Sequence, residues 1–583
     1  MKFLTQLMLC IGLSSCIVYV NESSDAPAER PRPVVTRPAF DVLIRGGTVY
    51  DGSGAPGQIA DVGVIEDRVA ALGDLSSATA DLTVDATGHA VSPGFINILS
   101  WAPEALLVDG RSMSDIKQGV TLEVFGEGWS YGPFNDTMKQ QAVAGQGDFK
   151  YDIDWTSFGE FLSSLERRGV SANIASFVGA TTVRVHELGY EDRPPTASEL
   201  ERMVSLVKEA MEEGALGVGS SLIYAPAFFA ETEELIALVT AAGEYGGGYI
   251  THMRSEGTGF LEGIEETITI AEEADTWAQI YHFKPGGEAN WGKHGAGIAL
   301  LEAARSKGLD ITANMYTYTA GSTGLSAAMP PWVQEGGISA WIKRLKDPSI
   351  RSQLIEEMQG PGDGWENLYY DAGGPENVLL VGFKNEALKP LTGKTVADVA
   401  AERGVSAEEV MMDLVIEDGS RVQAVYFLMS EENVRKNVAW PHMMFGSDGS
   451  SVAAEGPALL SQPHPRTYGN FARLLGKYVR EEKIIPLEEA IHRLTGLSAK
   501  QLRIEDRGCL NVSCYADIVV FDPDTIIDRS TYADPHQYAE GVRDVFVNGI
   551  GVLRDTEHTG ATPGRIVYGP GKRHNLEAEA EPS

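Results

Sequence analysis

Between Phe40 and Gly73, apolar and β-branched residues come in short alternating runs closed by glycine turns, DVLIRGGTVYDGSG and then ADVGVIEDRVAALG. That pattern predicts half-buried strands. The same texture returns in ADIVVFDPDTI from Ala516 and VRDVFVNGIGVL from Val542. Residues 40–92 and 501–565 therefore read as two halves of a small β-sandwich built from both ends of the chain. Between them the period changes: short continuous apolar runs alternate with stretches of helical spacing, as expected of a parallel sheet covered by helices. Eight strand candidates occur: VSPGFINIL near Val91, TLEVFG near Thr121, ANIASFV near Ala172, ALGVGSSLIY near Ala215, GGYITHM near Gly247, AQIYHF near Ala278, DITANMYTY near Asp310 and HMMFGSD near His442. One intervening stretch, TASELERMVSLVKEAMEEG, carries an N-cap at Thr196, Glu199 three residues on and a stop at Gly214. Eight such units close a (β/α)8 TIM-like barrel, an α/β fold, over 93–323 and 441–500. The interval 324–440 is too long for a bare loop and has helical patterns of its own, so it reads as an inserted subdomain roofing the barrel. Residues 566–583 read as a flexible acidic tail.

Composition narrows the class. Hydrophobic residues make up 43% and charged residues 22% of the chain, which supports a large packed core and excludes a disordered or collagen-like protein. Lys and Arg total 47 against 82 Asp and Glu, a net charge of −35 that repels phosphate backbones and excludes nucleic acid as a partner. At the start, Lys2 precedes an apolar run from Phe3 to Leu13, long enough for a signal-peptide core and too short to span a bilayer. It ends in Leu13-Ser14-Ser15-Cys16, which resembles a bacterial lipobox. Residues 1–16 thus read as a lipoprotein-type signal peptide, and 17–39, with Pro27, Pro31, Pro33 and Pro38, as an extended tether. The expectation is an exported protein held at the periplasmic or outer membrane only through a lipid on Cys16. An ordinary cleaved signal with a chance cysteine is the alternative. Cys10 would be removed with the signal. Cys509 and Cys514 could pair as a disulfide or stand as buried thiols on separate strands.

In a TIM barrel the chemistry belongs at the C-terminal ends of the strands. There the sequence places Glu127, Tyr224, His252 with Arg254, His282 with Lys284, Tyr316 with Tyr318, and Asp448. A single histidine could be an ordinary core residue, but six strands ending in such groups point to a site. His252, His282 and one carboxylate suit a divalent ion, with zinc the first candidate, an open position for water and a second carboxylate as base. Lys284 lies two residues beyond His282, on the same face of its strand. Glu123 is a further carboxylate candidate, since period-two alternation carries it to the side of Glu127. Arg254 and Glu256 could form a pair orienting His252.

At these residues the chain resembles the amidohydrolase superfamily and, within it, the N-acyl-D-amino-acid deacylases. The resemblance runs over roughly 40–549, on PGFI at Pro93, QGVT at Gln118, THMRSE at Thr251, YHFK at Tyr281, YTYTAGST at Tyr316, GSDG at Gly446, HPRTYGNF at His464 and PHQYAEG at Pro535 followed by VNG. The family's fold is a barrel with a β-sandwich and an insertion. By resemblance, Tyr316, Ser322 and Arg466 match positions that grip the substrate carboxylate, and Tyr224 matches a tyrosine near the scissile carbonyl. One departure stands out: after PGFI the family has a His-x-His pair for its more exposed metal, and here Leu99 and Trp101 occupy those positions. The family's cysteine after strand two is also missing, and Glu127 is the only donor in GEGWSYGP.

Together these readings predict one divalent metal held by Glu127, His252 and His282, with Asp448 as the acid-base group. Lys284, Tyr224, Tyr316, Ser322 and Arg466 would bind a small substrate with a free carboxylate. The expected reaction is hydrolysis of N-acyl-D-amino acids or D-residue-containing dipeptides. The competing readings are a cyclic-amide hydrolase of the dihydroorotase or hydantoinase kind, against which the missing histidine pair speaks, and a non-catalytic ligand-binding lipoprotein on the same scaffold.

Overall fold

The computed structural model describes residues 39–573 and Leu576. The signal-peptide, lipid-anchor and tether readings of 1–38 lie outside the described residues. Eight parallel strands form the barrel: β1 (Phe95–Asn97), β2 (Val120–Phe125), β3 (Asn173–Ser176, resuming at Val178–Gly179), β4 (Gly217–Ser221), β5 (Gly248–His252), β6 (Ala278–Ile280), β7 (Ile311–Met315) and β8 (Met443–Phe445). The ring closes just past β1 and β8, where Ser100 bridges Gly449 in parallel register and the Asp448 N–H donates to the Leu99 carbonyl at 2.9 Å.

Side chains pointing into the barrel form their own core, with Ile96, Leu99, Leu122, Val124, Phe177, Ile250 and Met444 plugged from below by Trp277, Leu502, Ile504 and Val567. Each fully buried side chain of this size contributes about 1.5–3 kcal/mol, so the barrel is solid up to its mouth. The helix Ala197–Glu212 shows why the outer layer forms: Thr196 and Glu199 make a reciprocal capping box, and Met203, Val207, Ala210 and Met211 turn its apolar stripe inward.

The two chain ends meet in one nine-stranded sheet, joined where Ala90–Pro93 pairs antiparallel with Ile518–Phe521. This sheet curls until Arg68 bridges Tyr515, enclosing Val42, Ile44, Val62, Val64, Val520 and Phe546. The two faces of the expected sandwich are thus one hydrogen-bonded surface folded over its own core. Cys509 and Cys514 are disulfide-bonded, with Cα atoms 6.2 Å apart, in the loop before this sheet's return strand.

Two boundaries differ from the sequence reading. The insertion starts earlier, because Gly321–Gly324 is already a strand of its three-stranded sheet with Val378–Gly382 and Gln423–Tyr426. It ends earlier too: Glu431–Ala439 buries Val434 and Val438 and packs on β8 as a barrel helix. The tail is not loose from 566. Ile566 bridges Ile174, and the Val567 N–H donates to the Ile174 carbonyl at 2.8 Å, because two apolar residues there have barrel surface to cover. Among the described residues, no helix is long and apolar enough to cross a membrane.

Candidate metal centre and active site

Glu127 stands between two glycines that shape its loop. Gly126 (φ +101) and Gly128 (φ +75) adopt left-handed backbone, and a Cβ at either would collide with the Phe177 carbonyl or with Ser221. The turn aims Glu127 across the mouth at His252, the last residue of β5, and at His282, two residues past β6. One ligand atom from each of the three lies within 4.8 Å of the others, and all three side chains are buried. Glu127 Oε1 is 3.1 Å from His252 Nδ1 and 2.9 Å from His282 Nε2.

Burial opposes ionisation of Glu127, yet the imidazoles of His282 and His252 hold its carboxyl well below the usual carboxylate range. His252 Nε2 is buried with no hydrogen-bond partner. Two imidazoles and one carboxylate, all buried and each offering a ligand atom within 4.8 Å of the others, fit a divalent ion of the zinc class. These residues would hold it.

A second layer fixes this cluster. Glu256 is 2% exposed; its Oε1 is 2.8 Å from His282 Nδ1, and its Oε2 is 2.5 Å from Lys284 Nζ. Lys284 also donates to the His282 carbonyl at 3.1 Å. Burial works against the charge on each of these groups, but their mutual attraction wins. Glu256 falls to about 2, His282 rises to about 9 despite the nearby Lys284, and Lys284 stays an ammonium. The expected Arg254–Glu256 pair does not form. Arg254 turns outward to Glu266 at 2.8 Å and to the Phe228 and Ala230 carbonyls, while Glu256 lies 3.7 Å from His252 Nε2 and serves His282.

The insertion reaches this layer through Glu366, whose Oε2 accepts from the backbone N–H groups of Glu256 and Gly257. Burial, together with Glu256 and Asp371, pushes the Glu366 carboxyl up to about 8. No sequence pattern in PGDGWENLYY marks this role.

Asp448 follows β8 with φ +47, a strained conformation of the kind that collects at functional sites. Its Oδ2 is 2.8 Å from Arg466 Nη1, and its Oδ1 accepts from the Trp101 indole N–H at 3.1 Å. The same indole N–H donates to Glu127 Oε2 at 2.9 Å. Burial raises the Asp448 pKa, Arg466 pulls it down and Glu127 pushes it up, with a net rise. Arg466 lies over the Tyr316 ring at 4.3 Å, and its Nε and Nη1, although beside Asp448, make no directed hydrogen bond. Tyr316 Oη donates to Met429 Sδ at 3.4 Å. Ser322 lies on the first insertion strand, its hydroxyl donating to the Ala424 carbonyl at 3.2 Å and its own carbonyl accepting from Arg466 at 3.4 Å.

Tyr224 stands edge-on to His252, ring centres 5.3 Å apart, with Arg421 of the insertion 5.4 Å over its ring. Arg421 escaped the sequence reading. Glu123 is not at the mouth. It is fully buried on the other face of β2, bonded to Ser100 at 3.0 Å, because the strand stops at Phe125 and Gly126 breaks the alternation that would have carried it to Glu127's side.

A barrel whose strand ends gather two imidazoles, a buried carboxylate, a second carboxylate and two cations has the anatomy of a metal-dependent hydrolase. The chain belongs to the amidohydrolase family, whose sequence profile matches residues 82–552. It is 34% identical over 536 residues to a D-aminoacylase of Alcaligenes xylosoxydans xylosoxydans, covering 91% of this chain and 97% of that one. The crystal structure of an N-acyl-D-glutamate deacylase from Bordetella bronchiseptica, complexed with zinc and a phosphonate inhibitor, superposes with a TM-score of 0.75 at 28% identity over 91% of this chain and 99% of that one. A dihydropyrimidinase from Brevibacillus agri shares the fold at a TM-score of 0.52 and 15% identity, over 91% and 98% of the two chains.

Proposed function

We propose that this protein hydrolyses the amide bond of N-acyl-D-amino acids or D-residue-containing dipeptides, using one zinc ion held by Glu127, His252 and His282. The observation that carries the reading is the convergence of those three donors beside Asp448, with Lys284 and Arg466 on one flank. A bound ion supplies polarisation of the amide carbonyl and acidification of a water molecule. Asp448, its carboxyl lifted by burial, takes the water's proton and delivers it to the departing nitrogen, so the amine leaves neutral. Lys284, Arg466, Tyr316 and Ser322 receive the substrate carboxylate, and Tyr224 orients the scissile carbonyl from the far side of His252.

A single ion is favoured because Leu99 and Trp101 offer a second one no ligand. The D preference rests on the similarity to the D-aminoacylase and the D-glutamate deacylase. Export and anchoring through Cys16 rest on the lipobox-like start.

The test is a stereo-paired panel of N-acyl amino acids and dipeptides, with a hydantoin added, assayed on zinc-loaded enzyme. Turnover of the D members alone is expected. Preference for the L series or for the hydantoin, or binding without turnover, would overturn the reading.

A further inference from the structure

We infer that the Trp101 indole N–H is a positioning group standing in for a second metal ion between Glu127 and Asp448, which makes this chain work with one ion and take up no second. The inference rests on the hydrolase reading above and deepens it.

Trp101 sits at the seam that closes the barrel. Its backbone N–H donates to the Gly449 carbonyl at 2.9 Å, beside Asp448, so the ring's position is fixed by main chain as well as packing. Its one ring N–H is shared between Glu127 Oε2 at 2.9 Å and Asp448 Oδ1 at 3.1 Å. An indole nitrogen has a hydrogen to give and no lone pair to offer a metal, so the group can link the two carboxylates but cannot ligate. The arrangement assigns all four carboxylate oxygens. On Glu127, Oε1 faces the imidazoles and Oε2 the indole; on Asp448, Oδ1 faces the indole and Oδ2 faces Arg466.

A buried carboxylate, Glu127, and a largely buried one, Asp448, bonded to the same indole N–H repel one another unless a positive group or donor lies between them. A second cation would do this, and here a neutral dipole does it while drawing less electron density from Asp448 than a cation would. Leu99, the other candidate position for a second-ion ligand, is 1% exposed and packed in the barrel core with no donor atom. Trp101 is 37% exposed although its N–H is held between the two carboxylates, so the ring is open to solvent beside the metal-binding cluster.

The test compares full-length wild type with Trp101→Phe, which keeps a ring and loses the N–H, and Trp101→His, which keeps an N–H and adds a ligating nitrogen. Zinc is titrated by equilibrium dialysis with elemental analysis, and kcat and KM are measured at each loading. Wild type is expected to hold one zinc per chain under a large excess, with activity flat across it. Trp101→Phe should retain one zinc, more weakly, and lose about ten- to a hundredfold in kcat with KM within about twofold, the size of effect seen when outer-shell partners of a metal site are removed. Trp101→His should bind a second zinc and become sensitive to its excess. Two zinc ions in wild type, or an unchanged kcat in Trp101→Phe, would overturn the inference. A Trp101→Phe protein that failed to fold would leave the wild-type and Trp101→His stoichiometries to decide it. The zinc counts need no substrate, so failure of the substrate panel with these counts intact would refute the hydrolase reading while leaving the exclusion of a second ion by Trp101 standing.

Discussion

Glu256→Gln removes one negative charge from the centre of the site while preserving side-chain shape. The wild-type carboxylate holds Lys284 at 2.5 Å and His282 Nδ1 at 2.8 Å in a fully buried setting. Its pKa of about 2, against an ordinary 4.5, is a depression that corresponds at about 1.4 kcal/mol per unit to about 3 kcal/mol of stability. Removing one partner of a buried ion pair costs about 3–5 kcal/mol on independent grounds, because the other charge is left without a counterion. Because the folded-state pKa is depressed, the contribution is fully present above about pH 4.5 and is lost as pH falls towards 2. Urea unfolding of chelator-treated wild type and variant should therefore show a gap of about 3 kcal/mol at pH 7 that narrows steadily below pH 4.5. Functionally, Lys284 would lose the counterion that positions it, and KM for carboxylate substrates should rise. A gap of the same size at pH 7 and pH 3, or none at pH 7, would refute the assignment of Glu256 as counterion to Lys284 and His282.

Other substitutions separate the remaining roles. Glu127→Ala should strip zinc from the protein, whereas Asp448→Asn should keep zinc and lose about 10²–10⁴ in kcat, with metal analysis and turnover read on the same samples. Lys284→Ala should raise KM for substrates with a free carboxylate and leave their carboxamide analogues little changed; an equal loss on both would contradict its role. Glu123 titrates at about 7, lifted by burial against the hydrogen bond from Ser100, so stability associated with its proton is present below about pH 4.5 and lost as pH rises through 7. Glu123→Gln should accordingly match wild type in thermal melts near pH 5 and exceed it above pH 8, by on the order of 3 kcal/mol.

What the chain displays and what it hides follow the reach of each interaction. Continuous apolar runs marked all eight barrel strands because burial on both faces leaves no other composition for them. His252, His282, Lys284 and Asp448 were legible because strand ends sit at fixed places in a barrel. Glu256 was assigned the wrong partner because its neighbour in sequence, Arg254, offered a nearer charge, and only the turn after His252 sends the two side chains to opposite sides. Glu123 was misplaced for a related reason: alternation holds within a strand and ends with it, and one left-handed glycine is enough to reverse it. Ile566 and Val567 went unread because two apolar residues make no period. Trp101 and Glu366 carry contacts made across 26 and 110 residues of chain, which no local pattern encodes.

The charge of the whole molecule and that of the site pull in opposite directions, and distance decides between them. A chain carrying −35 repels an anionic substrate, but at physiological ionic strength exposed charges are screened beyond about 8 Å. Within that range the substrate meets the mouth rather than the surface. There Lys284 and Arg466 are already matched by Glu256 and Asp448, so they position a carboxylate by directed donors more than by excess charge. Arg421 is different. Among the described residues its guanidinium donates only to the Thr323 hydroxyl, at 3.2 Å, and has no carboxylate within ion-pairing distance. In a protein with so many acids, an arginine with no carboxylate partner, 5.4 Å over the Tyr224 ring, keeps its charge free to meet an anionic group there.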